Sequence, residues 1–437
     1  MTEAIISNLA QIRALSRVIS RTSMMSYKGS SKTLPEIAAE LNVDAVIEGT
    51  VQQSGGRVRV TAKLIPAATD SPLWAREYER DLSDVLKLQS DVARAVADEI
   101  RIQVTPEERA RLAAARNINP QAHEAHLLGR HHTRPNEEDL RQAIEHFERA
   151  IQLAPDYAAA HAGLSQAWER RGIFGAKTLK EVLPHALAAA EKAVALDPQL
   201  AEAHIALGFV KTHDWDWEGA LQKFTRAMEL DPNSAEAHRA YADVLMQLER
   251  HDEAISAIQR AEQLDPLSSL IQSRYGRVLY RARKYKEALP HLQRAIDIDP
   301  NPGNSMPYWI FGELYAEMGR YDEAIASFKK AQSHGGKALS LSAEVAGVYA
   351  RMGKRKEARR MLEELKATTN PASFSDTSVA HAYTALGDKD EAFKVLFRLV
   401  EERNNIATTI KADPPFDSLH SDPRWKELLR RMKFPAE

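Results

Sequence analysis

One interval governs what this chain can become. Leu-Asp-Pro ends at Pro198, Pro232 and Pro266, Ile-Asp-Pro ends at Pro300, and each proline follows the last by 34 residues. Ala220, Ala254 and Ala288 keep the same step, as do Ala227, Ala261 and Ala295. A fixed period of this size marks stacked supersecondary units, each too small to bury its apolar face alone. The chain therefore reads as mostly helical, a solenoid of helical hairpins. That architecture implies a binding scaffold and leaves the bound partner open.

Composition narrows the alternatives. At 437 residues more than one folding unit is expected. A net charge of −2 gives no basic field for phosphate backbones, so a nucleic-acid partner is disfavoured. The absence of cysteine excludes disulfides, thiolate metal sites and thiol nucleophiles. No apolar run approaches the roughly 20 residues of a membrane helix, and the Met-Thr-Glu-Ala start lacks a secretory pattern. As it stands the sequence reads as cytoplasmic, or as extracytoplasmic if a membrane helix precedes it. Oligomeric state is left open.

Residues 1–104 follow a different pattern. Ile5, Ile6, Leu9, Ile12 and Leu15 have helical spacing behind Thr2, Val18 to Ser20 reads as a short strand, and Leu34 to Leu41 as a second helix entered at Pro35. Val46–Gln53 and Arg57–Ile65 alternate around Ser54-Gly55-Gly56 and predict a hairpin, with Leu73–Arg80 as a third strand carrying Trp74 and Tyr78 on one face. A long helix follows Ser83 through Leu88, Val92 and Val96. This is a small α/β unit. The runs Arg17-Val18-Ile19-Ser20-Arg21-Thr22-Ser23 and Leu41-Asn42-Val43-Asp44-Ala45-Val46-Ile47-Glu48-Gly49-Thr50-Val51 resemble the TolB-like amino-terminal domain. That resemblance implies a place in bacterial signalling proteins, ahead of helical repeats. It also implies a further first strand that this chain lacks, hence an internal start or an open sheet edge near Val18.

Residues 105–121 read as a helical linker, 122–400 as the repeat array and 401–437 as a capping segment. Units 201–234, 235–268 and 269–302 resemble tetratricopeptide repeats: Leu207-Gly208, Tyr241-Ala242 and Tyr275-Gly276 in the first helix, then Phe224, Ile258 and Leu292 in the second. Five looser units flank them, which brings the total to about eight. The second, beginning at Ala158, takes 43 residues to the next, and the surplus is expected in a loop from Ile173 to Thr178. A short insertion is expected near Thr133-Arg134-Pro135 in the first.

Most candidate sites have a packing role that accounts for them. His161, His204 and His238 share the fourth position of successive units; helices pack 8–10 Å apart, too far for a shared ion, so they read as packing residues. His123, His126, His131 and His132 cluster around Glu124, where His-x-x-His on one helical face could bind a metal weakly, but no further ligand at a firm spacing completes it and they read as aromatic positions of a drifted repeat; Asp214-Trp215-Asp216-Trp217 reads as a buttressed turn. No catalytic signature appears, so the chain reads as non-enzymatic, with no cofactor and no metal. What remains is the concave groove of first-helix positions: Arg239, Asp243, Met246 and Gln247, then Arg277, Tyr280 and Arg281, then Trp309, Glu313 and Glu317. Arg with Tyr and Trp suits an interface, and Arg277 with Arg281, one helical turn apart, could grip a partner's carboxylate. On that reading, reversing both charges weakens binding of a protein or peptide and spares stability. The resemblance leaves a second possibility, that the chain is the sensory half of a larger transcriptional regulator, Ser/Thr kinase or adenylate cyclase.

Overall fold

The computed structural model describes all residues except 1, 55–56, 69–70, 82–84, 101–103, 107, 109–117, 133–135, 176, 302, 369–375 and 436–437. The Gly55-Gly56 turn, the Ser83 cap, the insertion at 133–135 and most of the linker therefore lie outside the described residues.

The amino-terminal unit runs α1 (Thr2–Ala10), α2 (Arg21–Met25), α3 (Leu34–Leu41), β1 (Ala45–Ser54), β2 (Arg57–Pro66), β3 (Trp74–Asp81) and α4 (Val85–Glu99). The strands form an antiparallel sheet in the order β1-β2-β3, with Ser54 facing Arg57 and Arg57 facing Asp81. Alternation along β2 turns Val58, Val60, Ala62 and Leu64 onto Leu88, Val92 and Val96 of α4 and onto Leu9 and Ile12. The opposite face carries Arg57 and Arg59, which pair with Glu77 and Glu79. Val18 to Ser20 is not a strand. The Ser20 side chain caps α2 instead, and its backbone N–H donates to the Leu264 carbonyl 3.0 Å away, far along the repeats. A local β pattern loses here to tertiary hydrogen bonds.

Eight helical hairpins follow among the described residues: Pro120–His131 with Glu137–Leu153, Ala158–Phe174 with Leu179–Leu196, Ala201–His213 with Trp217–Leu230, and Ala235–Gln247 with His251–Leu264. The fifth to eighth are Ser269–Arg281 with Tyr285–Ile298, Met306–Glu317 with Tyr321–Ser333, Ala338–Arg351 with Arg355–Thr368, and Thr377–Leu386 with Lys389–Glu401. Small residues sit where the two helices of a hairpin cross: a Cβ on Gly208 would stand 2.6 Å from the Phe224 ring. The surplus of the second hairpin is not a long loop. Its helices have 17 and 18 residues where the next hairpin has 13 and 14, so the pair is a turn longer on each side.

The Asp of each Leu/Ile-Asp-Pro turn ends a helix, and Pro then forbids its continuation. Asp197, Asp231 and Asp299 accept from the backbone N–H two residues on at 3.0–3.2 Å. These turns also hold the amino-terminal unit. Asn233 donates to the carbonyls of Ala10 and Leu15 at 3.0 and 3.2 Å, taking the carbonyl freed where α1 stops. Ser23 donates to Asp265 at 2.6 Å and accepts from the Leu267 N–H at 2.9 Å. Residues 10–23 thus clasp the turns after the third and fourth hairpins.

Residues 405–409 and 414–419 form short 3-10 turns ahead of the last helix, Pro423–Arg431. This segment covers the apolar seam of the eighth hairpin and also returns to the third. Trp217 donates to the Met432 carbonyl at 2.9 Å and stacks on Phe434, with ring centroids 4.5 Å apart.

Candidate binding site

The groove is built by the first helix of each hairpin, and its middle is filled by the chain's own carboxyl-terminal segment. Arg281, expected to face a partner, is 3% exposed. Its guanidinium meets Asp413 at 3.1 Å and donates to the Thr409 carbonyl at 2.6 Å. Tyr280 and Met246 are at 0% and 1% exposure and Glu313 at 8%. Arg239 and Asp243 pair with each other at 2.9 Å, their side chains only 11% and 15% exposed. Trp309 donates to Glu313 Oε1 at 3.1 Å, Glu317 pairs with Arg351 at 2.6 Å, and Gln247 is buried. The Arg277–Arg281 grip on an outside carboxylate is therefore replaced: Arg281 is spent on Asp413, while among the described residues no carboxylate lies within ion-pair distance of Arg277.

The electrostatics follow from burial. Burial pushes the Asp413 carboxyl up, but Arg281 and His381 more than offset it and hold it down to about 2. Burial, then Asp413, push the Glu313 carboxyl up to about 7. His381 has Glu344 2.9 Å from Nδ1 and Asp413 3.3 Å from Nε2; burial lowers its affinity for a proton, and the two carboxylates raise it well above the ordinary range. Asp413, Glu344 and His381 escaped the sequence reading. A signal existed: Arg277, Glu313 and His381 each follow their repeat's small-residue position in the first helix, one register on the concave side.

The histidines at the fourth position pack and bond locally. His161, His204 and His238 each donate through Nε2 to the carbonyl of the preceding Pro155, Pro198 and Pro232, at 3.0, 3.0 and 3.2 Å. His123 and His126 converge on the Tyr157 hydroxyl at 3.1 and 2.8 Å. The Trp turn is buttressed as expected: Trp215 and Trp217 are 4% and 3% exposed, and Arg403 lies over Trp215 while pairing with Asp214 at 2.8 Å.

Two outer features complete the surface. A cleft of about 430 Å³ separates α3 from the fourth and fifth hairpins, lined by Arg17, Asn42, Glu262, His291 and Arg294 among others. Among the described residues the β1 edge has a strand on one side only, and Glu48 to Gln52 are exposed along it.

Models of the tetratricopeptide repeat family match residues 136–176, 215–278 and 267–334. Among curated proteins, "Putative adenylate cyclase 3" of Rhizobium meliloti (strain 1021) is 32% identical over 166 residues, 38% of this chain and 28% of that one. The match thus spans under a third of the relative's length. Among solved structures, YrrB, described as a TPR protein with an unusual peptide-binding site, is 24% identical with a TM-score of 0.29, covering 42% of this chain and 87% of YrrB. PilF of Pseudomonas aeruginosa is 22% identical with a TM-score of 0.35, covering 48% and 95%. Among the described residues no helix is long and apolar enough to cross a membrane.

Proposed function

We propose that this tetratricopeptide-repeat protein is a non-enzymatic scaffold that binds a protein partner within a bacterial signalling or regulatory assembly. The observation that carries the reading is how its surfaces are divided. The middle of the groove holds residues 404–419 of the same chain, with Asp413 on Arg281, so the array already grips a segment of two short 3-10 turns in cis. A partner segment is left the partly exposed groove residues Arg277 and Trp309, beside the Arg239–Asp243 pair, and above all the amino-terminal sheet. There β1 offers an uncharged run from Gly49 to Ser54, on a strand with one neighbour. The far edge, β3, carries Arg76, Glu77, Glu79 and Arg80, charges that discourage pairing. A partner strand adding to β1 would gain backbone hydrogen bonds without any reordering of the receptor. The resemblance of residues 1–104 to the TolB-like domain supports the signalling context.

A photo-crosslinking residue placed at Gln52, and separately at the exposed Glu363 of the seventh hairpin, tests this in the native host. A discrete protein adduct from position 52 alone, lost when Thr50→Pro is added, is expected. Equal labelling from both positions would remove the edge from consideration.

The match to the cyclase-named relative favours a second reading, in which the chain is the non-catalytic half of a larger regulator. A cyclase, kinase or winged-helix domain would then precede it. The genomic sequence read in frame upstream of Met1 decides between the two.

A further inference from the structure

The lumen holds one group of side chains that a scaffold leaves unused. Glu313 of the sixth hairpin, Glu344 of the seventh and His381 of the eighth present three ligand-type atoms within 4.8 Å of one another. The residues are 8%, 7% and 4% exposed. They surround a cavity of about 20 Å³ that Tyr280, Gly347 and Pro415 help to close, room for one water-sized occupant. Two polar atoms of this group have no hydrogen-bond partner among the described residues, Glu313 Oε2 and the Tyr280 hydroxyl, while His381 is held by Glu344 at Nδ1 and by Asp413 at Nε2. Buried polar atoms are nearly always satisfied, so these two point to something that completes them.

The surrounding charges narrow what that is. Glu317 pairs with Arg351 at 2.6 Å and Asp413 with Arg281 at 3.1 Å, so those four cancel in pairs. Glu313 and Glu344 are left facing each other, with His381 between them and Arg277 beyond ion-pair distance. Two carboxylates at such range repel unless a cation sits between them, and a metal ion that displaces the His381 proton would neutralise both, where the imidazolium meets only Glu344 of the two at hydrogen-bond distance. We propose that this cavity is a structural site for one first-row divalent metal ion, held by Glu313, Glu344 and a ring nitrogen of His381. One imidazole with two carboxylates suits Zn²⁺, Mn²⁺ or Fe²⁺ better than the all-oxygen preference of Ca²⁺ or Mg²⁺. Ligands about 2.1 Å from a tetrahedral ion stand about 3.4 Å apart, so the side chains draw in by on the order of 1 Å. The ion would tie three hairpins together beneath the returning segment.

The full chain, stripped with a chelator in mild denaturant and refolded with Zn²⁺ or Mn²⁺, should keep one ion per chain through gel filtration, measured by elemental mass spectrometry. Its Tm should rise with the logarithm of Zn²⁺ concentration. Glu313→Gln keeps the side chain's shape while removing its charge, and should weaken retention at least about tenfold. Zn²⁺ adsorbed at other positions among the 15 histidines would be untouched by that variant. Reconstitution of the unmodified chain with Co²⁺ gives a readout that needs no variant, since a low-coordinate nitrogen–oxygen site absorbs in the visible. Absent visible bands, no retained ion, or equal retention by the Glu313→Gln chain would each overturn the proposal and leave the cavity to a single water. The proposed scaffold role needs no metal, so it survives such a result.

Discussion

Individual side chains divide into those whose role was legible in the sequence and those whose role depended on a distant segment. His161, His204 and His238 were readable as packing residues, and their bonds to proline carbonyls lie within their own repeat step. His126 adds a testable consequence. Burial pushes its pKa down to about 3, against about 6.5 for an unfolded histidine. Between those values the unfolded chain binds more protons, so this contribution is full above about pH 6.5 and is lost as pH falls towards 3. His126→Asn keeps a polar group for Tyr157 but cannot titrate. Its Tm should drop less than the parent's between about pH 7 and about pH 5, followed by circular dichroism; equal drops would mean that the folded ring protonates without cost. Arg281 was misread for the opposite reason. Its spacing from Arg277 is local and visible, whereas Asp413 lies 132 residues away in sequence and nothing periodic announces it.

At the level of elements, the turn within each of the third to eighth hairpins repeats one backbone feature. Trp215, Glu249, Arg283, Gly319, Gly353 and Gly387 all have positive φ, from 60° to 80°. Glycine takes that conformation freely and other residues resist it. The three non-glycine cases are those whose side chains meet the returning segment: Trp215 under Arg403, Glu249 with Lys411, and Arg283 with Asp417. Replacing Gly353, whose turn makes no such contact, with Ala should cost on the order of 1 kcal/mol in chemical denaturation. Trp215→Gly relieves the backbone but empties a buried aromatic site, and should be net destabilising by about 2–3 kcal/mol. Gly208→Ala should also destabilise, by about 1–3 kcal/mol, through its clash with Phe224. Helices, hairpin and turns were legible because their signals are short-range and periodic. The Val18 strand and the second hairpin's loop were misread because partners far along the chain, or a matched lengthening of two helices, decide them.

Across the whole molecule, the double reversal of Arg277 and Arg281 changes meaning. The sequence suggested that it would spare stability. With Arg281 and Asp413 both buried, Arg281→Glu sets two carboxylates together, and breaking such a pair costs about 3–5 kcal/mol. A large fall in the denaturation midpoint is expected, and an unchanged midpoint would show that the segment around Asp413 is not held there. The contact between Trp217 and the final residues has a broader consequence. A linear stack of repeats unravels like a zip, each unit leaning only on its neighbours and the ends opening first. Here the trailing end is fastened back to the third unit, which closes units three to eight into a loop and leaves the first two as a flap outside it. Loss of any one unit inside that loop is felt by all the others, so it should melt in one sharp step while the flap opens earlier and by itself.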